Sequence, residues 1–491
     1  MVFGICLCAA TATSSCAESH EESTADNSNG GGANAGNGGS AGAGGNAWPD
    51  GGGALGGSGG SGASAGQGGT ASGGAAGAGG SGAVASGGSG GGCVPSCAGK
   101  QCGSDGCGSS CAPGCSASET CNGSGQCQAT CSPTWYTALA GAAVNDAVLS
   151  GQNLYAIGSK TASGWVGRVD VCAGALAKES SVSPTGSQSS SLSKGIFTGS
   201  SLYVVGSVVT SADPRNGLYA KLNPITLAAS FVSPLYGSTG EDEVNAVAAA
   251  SSGFLWMSGR SNSPTGPGWG IKGSTSGQAC GFPLGTGAGS SYAAASGGNT
   301  IYVARTNAGQ LYVDQFADAS CLNTGPCPCT PTATSPAIAL GTENTEARAM
   351  LQHAGAVYVA GFTYDTGTLG NSKAFVIRLN AAGQILGRYN FDPTTQFDGF
   401  VALATDGTTL YAGGGQGWDQ STFASSTGML HALPVGFGMN AVATWTRSFA
   451  TLDVVGGVAA ESGSGDGLYA AGLAAGGGFA LRCTKNNLCP K

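Results

Sequence analysis

Two stretches of the 491-residue chain combine side chains able to hold a polar ligand. In GQGWDQSTFASSTG (415–428) the indole of Trp418 stands beside the carboxylate of Asp419, and in YGSTGEDEVN (236–245) the acids Glu241, Asp242 and Glu243 follow one another. An aromatic face offers a stacking surface and carboxylates accept hydroxyl hydrogens, so these five are the candidate ligand-binding residues. The acids lack the D-x-D-x-D spacing of a calcium loop, and no metal site is expected. A glycosidase needs two carboxyls roughly 5–10 Å apart, and spacing alone leaves open whether Glu241–Glu243 meet Asp398 or Asp419. Of the three histidines, His20 lies in the N-terminal tail, while His353 and His431 read as structural. No GxSxG elbow, HExxH helix or phosphate loop is present, so no catalytic residue and no cofactor is assigned.

Cysteine carries the other chemistry. Eight of the 19 cysteines fall at 93, 97, 102, 107, 111, 115, 121 and 127, too dense for a hydrophobic core, so crosslinks must fold that segment. Four disulfides are expected, and spacing cannot choose among the 105 pairings. Zinc knuckles would need CxxC pairs, and stacking on sugars would need an aromatic residue; the segment contains neither. Its GKQCGSDGCG core resembles small Gly/Cys-rich modules of bacterial secreted proteins, which implies a rigid spacer. MVFGICLCAATATSSC resembles the tail of a bacterial lipoprotein signal ending at a lipidated Cys16, although no basic residue precedes its apolar run and Thr13 stands where Leu is usual. An ordinary cleaved secretory signal is the alternative.

The elements that must position these residues repeat. LYAIGS, LYVVGS, LWMSGR, IYVART, VYVAGF, LYAGGG and LYAAGL place an aromatic at 155, 203, 256, 302, 358, 411 and 469, so one unit is near fifty residues long. Each unit reads as four strands. EVNAVAAA (243–250) and GFVALAT (399–405) are first strands, the motif is the second, GWVGRVD (164–170) and AFVIRLN (374–380) are third, and ILGRYNF (385–391) and VATWTRSF (442–449) are fourth. The glycine that usually closes the motif fits a turn or a close backbone approach. The pair VYVAGFT and AFVIRLN resembles the β-propeller repeats of bacterial extracellular proteins. That resemblance implies an all-β, seven-bladed β-propeller over 132–491, with the orphan strand TWYTALAG (134–141) completing the last blade. Loops joining strands two to three and loops between blades would then share a face, bringing the Trp418 loop and the 241–243 acids to the same side. Closure also predicts two disulfides among Cys131, Cys172, Cys483 and Cys489, one of them closing a ring of over 300 residues, and a further one between Cys280 and Cys321, Cys327 or Cys329. The recurrent Arg168, Lys221, Lys272, Arg378 and Arg482 read as architectural, and Trp165 and Trp269 as core.

Residues 29–92 are almost wholly Gly, Ala, Ser and Asn and cannot bury enough apolar surface to order, so 17–92 is expected to be a disordered linker between the 1–16 leader and the 93–131 module. A net charge of −8 without a basic cluster excludes nucleic acid as a partner. No apolar run is long enough to span a bilayer, so membrane contact is expected only through a lipid anchor. These features predict a monomeric, non-catalytic protein, extracellular or anchored at the outer membrane, that binds a glycan or an extracellular protein. A polysaccharide lyase or glycosidase and a purely structural surface protein are the alternatives.

Overall fold

Every motif becomes the second strand of a sheet, and its composition follows from being buried on both faces. The computed structural model describes residues 96–115, 119–121, 124–129, 131–211, 215–235, 242–260, 268–273, 279–284, 289–318, 329–341, 343–365, 368–418, 426–463 and 465–490. The leader with Cys16, the linker and Cys93 lie outside them.

The cysteine module holds one hairpin, β1 (Glu119–Cys121) with β2 (Cys127–Ala129). Disulfides join Cys97 to Cys111, Cys102 to Cys121 and Cys115 to Cys127, and Cys107 is also disulfide-bonded. The sulfurs of Cys102, Cys115 and Cys121 are close together because two of these bonds are neighbours, and sulfurs held in disulfides are not available as thiolate ligands.

The rest of the described chain is all-β. It opens with β3 (Trp135–Ala140). The first sheet is β4 (Ala142–Ser150), β5 (Asn153–Lys160), β6 (Ser163–Asp170) and β7 (Leu176–Val182). The second is β8 (Ser189–Thr198), β9 (Ser201–Val209), β10 (Asn216–Leu222) and β11 (Ala229–Leu235). The third is β12 (Glu243–Ala249), β13 (Leu255–Arg260), β14 (Gly268–Gly273) and β15 (Ala279–Leu284). The fourth is β16 (Gly289–Gly297), β17 (Thr300–Asn307), β18 (Gln310–Ala317) and the two-residue β19 (Ala333–Thr334). The fifth is β20 (Asn344–His353), β21 (Ala356–Asp365), β22 (Thr368–Leu379) and β23 (Ile385–Phe391). The sixth is β24 (Phe397–Thr405), β25 (Thr409–Trp418), β26 (Thr427–Pro434) and β27 (Trp445–Phe449), joined to the fifth by one parallel bridge, Ser372 to Phe397. The last sheet, β28 (Leu452–Ala460), β29 (Gly467–Ala474) and β30 (Gly477–Thr484), takes β3 as its fourth strand, with Trp135 opposite Arg482.

A core cluster lies between each consecutive pair of sheets and one more lies between the last and the first. The period of two in a strand serves both neighbours at once. Leu154 and Ala156 pack with Tyr469, Ala471 and Trp135 of the last sheet, while Tyr155 and Ile157 pack with Leu202 and Val204 of the second. Trp165 and Trp269 are buried, as expected of core residues. First strands touch in order, from β4 against β8 round to β28 against β4.

Each first strand also carries a bulge at the same place: Val144/Asp146, Leu192/Lys194, Val244/Ala246, Ser291/Ala293, Ala347/Ala349, Phe400/Ala402 and Val455/Gly457. The bulge pushes a carbonyl toward the motif strand, and this explains the motif glycine. A Cβ on Gly158, Gly206, Gly259, Gly361, Gly414 or Gly472 would collide with the carbonyl oxygen of Ala143, Ser191, Glu243, Glu346, Gly399 or Val454. Of the two readings of that glycine, close backbone approach is the one observed. Where Arg305 replaces it, the guanidinium leaves the strand to pair with Asp314 at 2.6 Å.

Neighbouring sheets are latched at both ends. At one end, the recurrent base and the motif aromatic opposite it reach the turn of the following sheet. Arg168 Nη1 donates to Ile225 O (2.7 Å), Tyr155 Oη to Pro224 O (3.1 Å), Tyr358 Oη to Val435 O (2.6 Å) and Lys272 Nζ to Asp318 O (2.7 Å), whereas Arg482 Nη1 donates to Ser132 O (2.7 Å) just before β3 of its own sheet. At the other end, the amide two residues before the bulge reaches back to the preceding sheet: Ser190 N to Ala162 O (2.9 Å), Asp242 N to Arg215 O (3.0 Å), Thr345 N to Gly309 O (2.7 Å) and Asp398 N to Ser372 Oγ (2.9 Å).

The predicted pair of disulfides among four cysteines is present as Cys131–Cys172 and Cys483–Cys489, spanning 41 and 6 residues. Neither closes a ring of over 300 residues. Hydrogen-bonded pairing of β3 with β30 bridges that distance, and the Cys131 bond ties the start of β3 to the first sheet. Cys280 lies in β15 and Cys329 is disulfide-bonded, whereas Cys321 and Cys327 are outside the described residues.

Candidate functional site

Apart from β24, whose Phe397 also bridges to Ser372 of β22, first strands pair on one edge only, with the second strand of their own sheet, so their other edges are left to face one another. Between them is a cavity of about 120 Å³ to which all seven contribute. Because the bulge adds a residue to each strand at this level, its walls are the residues at and just after the bulge: Asp146, Lys194, Val247, Tyr292, Arg348, Met350, Leu403 and Val458 are prominent among them.

Charge at this level is concentrated on few strands. Lys194 Nζ lies 3.4 Å from Asp146 Oδ1, and the amide of Gly195 donates to Asp146 Oδ2 at 3.0 Å. Asn145 Nδ2, on the bulge, donates to Leu192 O at 2.8 Å and fixes β4 against β8. Burial raises the Asp146 carboxyl above its ordinary range, with Lys194 and the Gly195 amide opposing the rise. On β20 the Arg348 guanidinium pairs with Glu346 and lies 4.3 Å from the ring centre of Tyr292 and 5.3 Å from that of Phe362. Its Nε is buried without a hydrogen-bond partner among the described residues. Burial also raises Glu346, opposed by Arg348 and Arg260, and pushes Tyr364 up to about 12.

Glu243, one of the expected ligand-binding acids, is ion-paired with Arg260 at 2.9 Å and Arg215 at 3.5 Å, and accepts from Asn245 Nδ2 at 3.1 Å. Asp242 is fully buried and supplies an inter-sheet latch through its amide. Asp398 is likewise buried, its Oδ1 accepting from Gly417 N at 3.0 Å and Thr394 Oγ1 at 2.9 Å. Trp418 is the last residue of β25, opposite Phe397 in register. Glu241 and Asp419 lie outside the described residues. His353 Nε2 lies 3.1 Å from Gly407 O, and His431 is buried between the fifth and sixth sheets.

Sequence reasoning did not single out Asp146, Lys194, Tyr292 or Arg348. Aligning first strands on the motif that follows them gives the signal: charge occurs at the bulge level in only three of seven units, where others carry uncharged residues.

No family model and no curated protein matches the chain. A solved structure, that of Kluyvelomyces marxianus Hsv2, superposes with a TM-score of 0.37 at 11% identity over 67% of this chain and 88% of that one. A likeness at that level carries nothing about function.

Proposed function

We propose that residues 132–491 form a seven-bladed β-propeller closed by β3, and that the protein is a non-catalytic binding protein for a glycan or an extracellular protein. In this reading the propeller is displayed on the disulfide module and the glycine-rich linker, and a lipid on Cys16 holds it at the cell surface. One observation carries the reading: an apolar core lies between every neighbouring pair of sheets, the last and first included, and hydrogen-bond latches cross several of these interfaces. Such a body is a rigid platform, and rigidity lowers the ordering cost of capturing a large ligand. The ion-paired state of Glu243, Glu346 and Asp146 supports binding over turnover, because each carboxylate is held by a cation where general acid–base chemistry needs one poised for proton exchange.

The test exposes the native protein to a panel of polysaccharides and surface proteins. Capture without a fall in polymer length is expected, and release of shortened chains would show an enzyme. Trp418→Ala should weaken capture by about 1–3 kcal/mol with little change in melting temperature, as for an anchoring aromatic. Unchanged affinity in that variant would take the loop face out of the proposal. Mass spectrometry of the native protein should find the lipid on Cys16.

A further inference from the structure

The axial cavity has a surplus of hydrogen-bond donors over acceptors. Its charged lining is two cations, Lys194 and Arg348, and one carboxylate, Asp146. Asp146 has both oxygens engaged, one by Lys194 and one by the Gly195 amide. The Lys194 ammonium makes a single hydrogen bond, to Asp146 at 3.4 Å, and so keeps two N–H groups. Arg348 uses Nη2 on Glu346 and leaves Nε buried without an acceptor. Donors without acceptors favour a ligand that brings acceptor oxygens, and because Asp146 already balances Lys194 and Glu346 already balances Arg348, the site tolerates no more than one added negative charge. Val247, Met350, Leu403 and Val458 supply an apolar remainder that suits carbon better than a bare inorganic ion. A volume of about 120 Å³ has room for about four to six heavy atoms.

We infer that this cavity binds a small organic monocarboxylate, its carboxylate seated at Lys194 in the field of Arg348 and its carbon chain against the aliphatic wall. Asp146 competes with such a ligand for the same ammonium, so it sets the affinity from within the site. This goes beyond macromolecule capture at the loop face: a ligand of this size enters the axis and leaves the loops untouched.

The experiment titrates the full-length protein with acetate, propionate and pyruvate, and with chloride and phosphate at matched ionic strength, following heat of binding and melting temperature. Propionate or pyruvate should give a saturable rise in melting temperature that chloride and phosphate do not. Lys194→Met should weaken binding at least tenfold. Asp146→Asn should tighten it severalfold, because it removes the competing charge while keeping the side-chain shape. The absence of a saturable response up to roughly 50 mM, a concentration at which even a millimolar site is nearly filled, overturns the inference. An equal response to chloride, or an Asp146→Asn variant that binds no more tightly, overturns it as well, and the latter comparison holds even if Lys194→Met fails to fold. Polysaccharide capture by the same preparations is scored separately, so capture without carboxylate binding counts against the cavity alone.

Discussion

At position 431 a histidine stands where Ile377, Ala220 and Leu481 stand in other third strands. It is fully buried, with Nδ1 2.8 Å from Tyr389 Oη and its ring edge-on to Phe391 and Phe400. Burial lowers its pKa from 6.5 to about 4. The folded state therefore resists a proton that the unfolded chain accepts, so stability is intact above pH 6.5 and falls as pH drops from 6.5 toward 4. The loss at pH 4 is roughly 3 kcal/mol by linkage. Asp146 and Glu346 act in the opposite sense, because their raised pKa values make the folded state the stronger proton binder as pH falls. The clean measurement is consequently a difference. Urea melts of wild type and His431→Leu at pH 7 and pH 4 should show the variant gaining about 3 kcal/mol on the wild type across that interval, and parallel curves would show that His431 is not the titrating group.

The motif strand and the bulged strand beside it form one device, and the glycine between them is its weakest point for substitution. Gly361→Ala drives a Cβ into the carbonyl of Glu346, so the two strands must part or the bulge must flatten. A loss of about 3 kcal/mol or more is expected in chemical denaturation. Gly438→Ala is the control, since nothing lies near its added methyl, and it should stay within about 1 kcal/mol of wild type. The second and third strands were legible in sequence because both of their faces are buried, which forces aliphatic, aromatic and small residues into fixed columns. Fourth strands were less so. β7 is mostly exposed, β19 is two residues long, and β27 starts at Trp445 where the sequence suggested 442. The reason in the last case is that the preceding segment bonds to the outer edge of the fifth sheet through Ala441 N to Arg388 O at 2.9 Å. The site was harder still. Trp418 stands out by residue type, but Lys194 and Asp146 are 48 residues apart, and each bulge inserts a residue that hides the alternation by which facing positions are recognised.

Over the whole molecule, β3 is held from two sides: by pairing with β30 and by the Cys131–Cys172 bond to the first sheet, reinforced by Trp135 Nε1 donating to Val171 O at 2.8 Å. A crosslink spanning 41 residues is worth about 4 kcal/mol in the loop-entropy model. The double variant Cys131→Ser, Cys172→Ser should lose about that much in equilibrium denaturation. A loss under about 1 kcal/mol would mean that strand pairing alone fixes the end of the sheet. The same arrangement has a consequence for the order of events during synthesis. Arg482 meets Ser132 across 350 residues, so at about 5–20 residues per second β3 emerges roughly 20–70 s before the strand it must pair with. During that interval the nascent chain carries an unmatched strand, the kind of edge that recruits other chains. Cys172 follows Cys131 by only 41 residues, so once the chain reaches an oxidising compartment the crosslink can form before β30 is in place and park β3 against the first sheet. When β30 arrives it finds its partner tethered nearby at high effective concentration instead of searching for it across the whole chain.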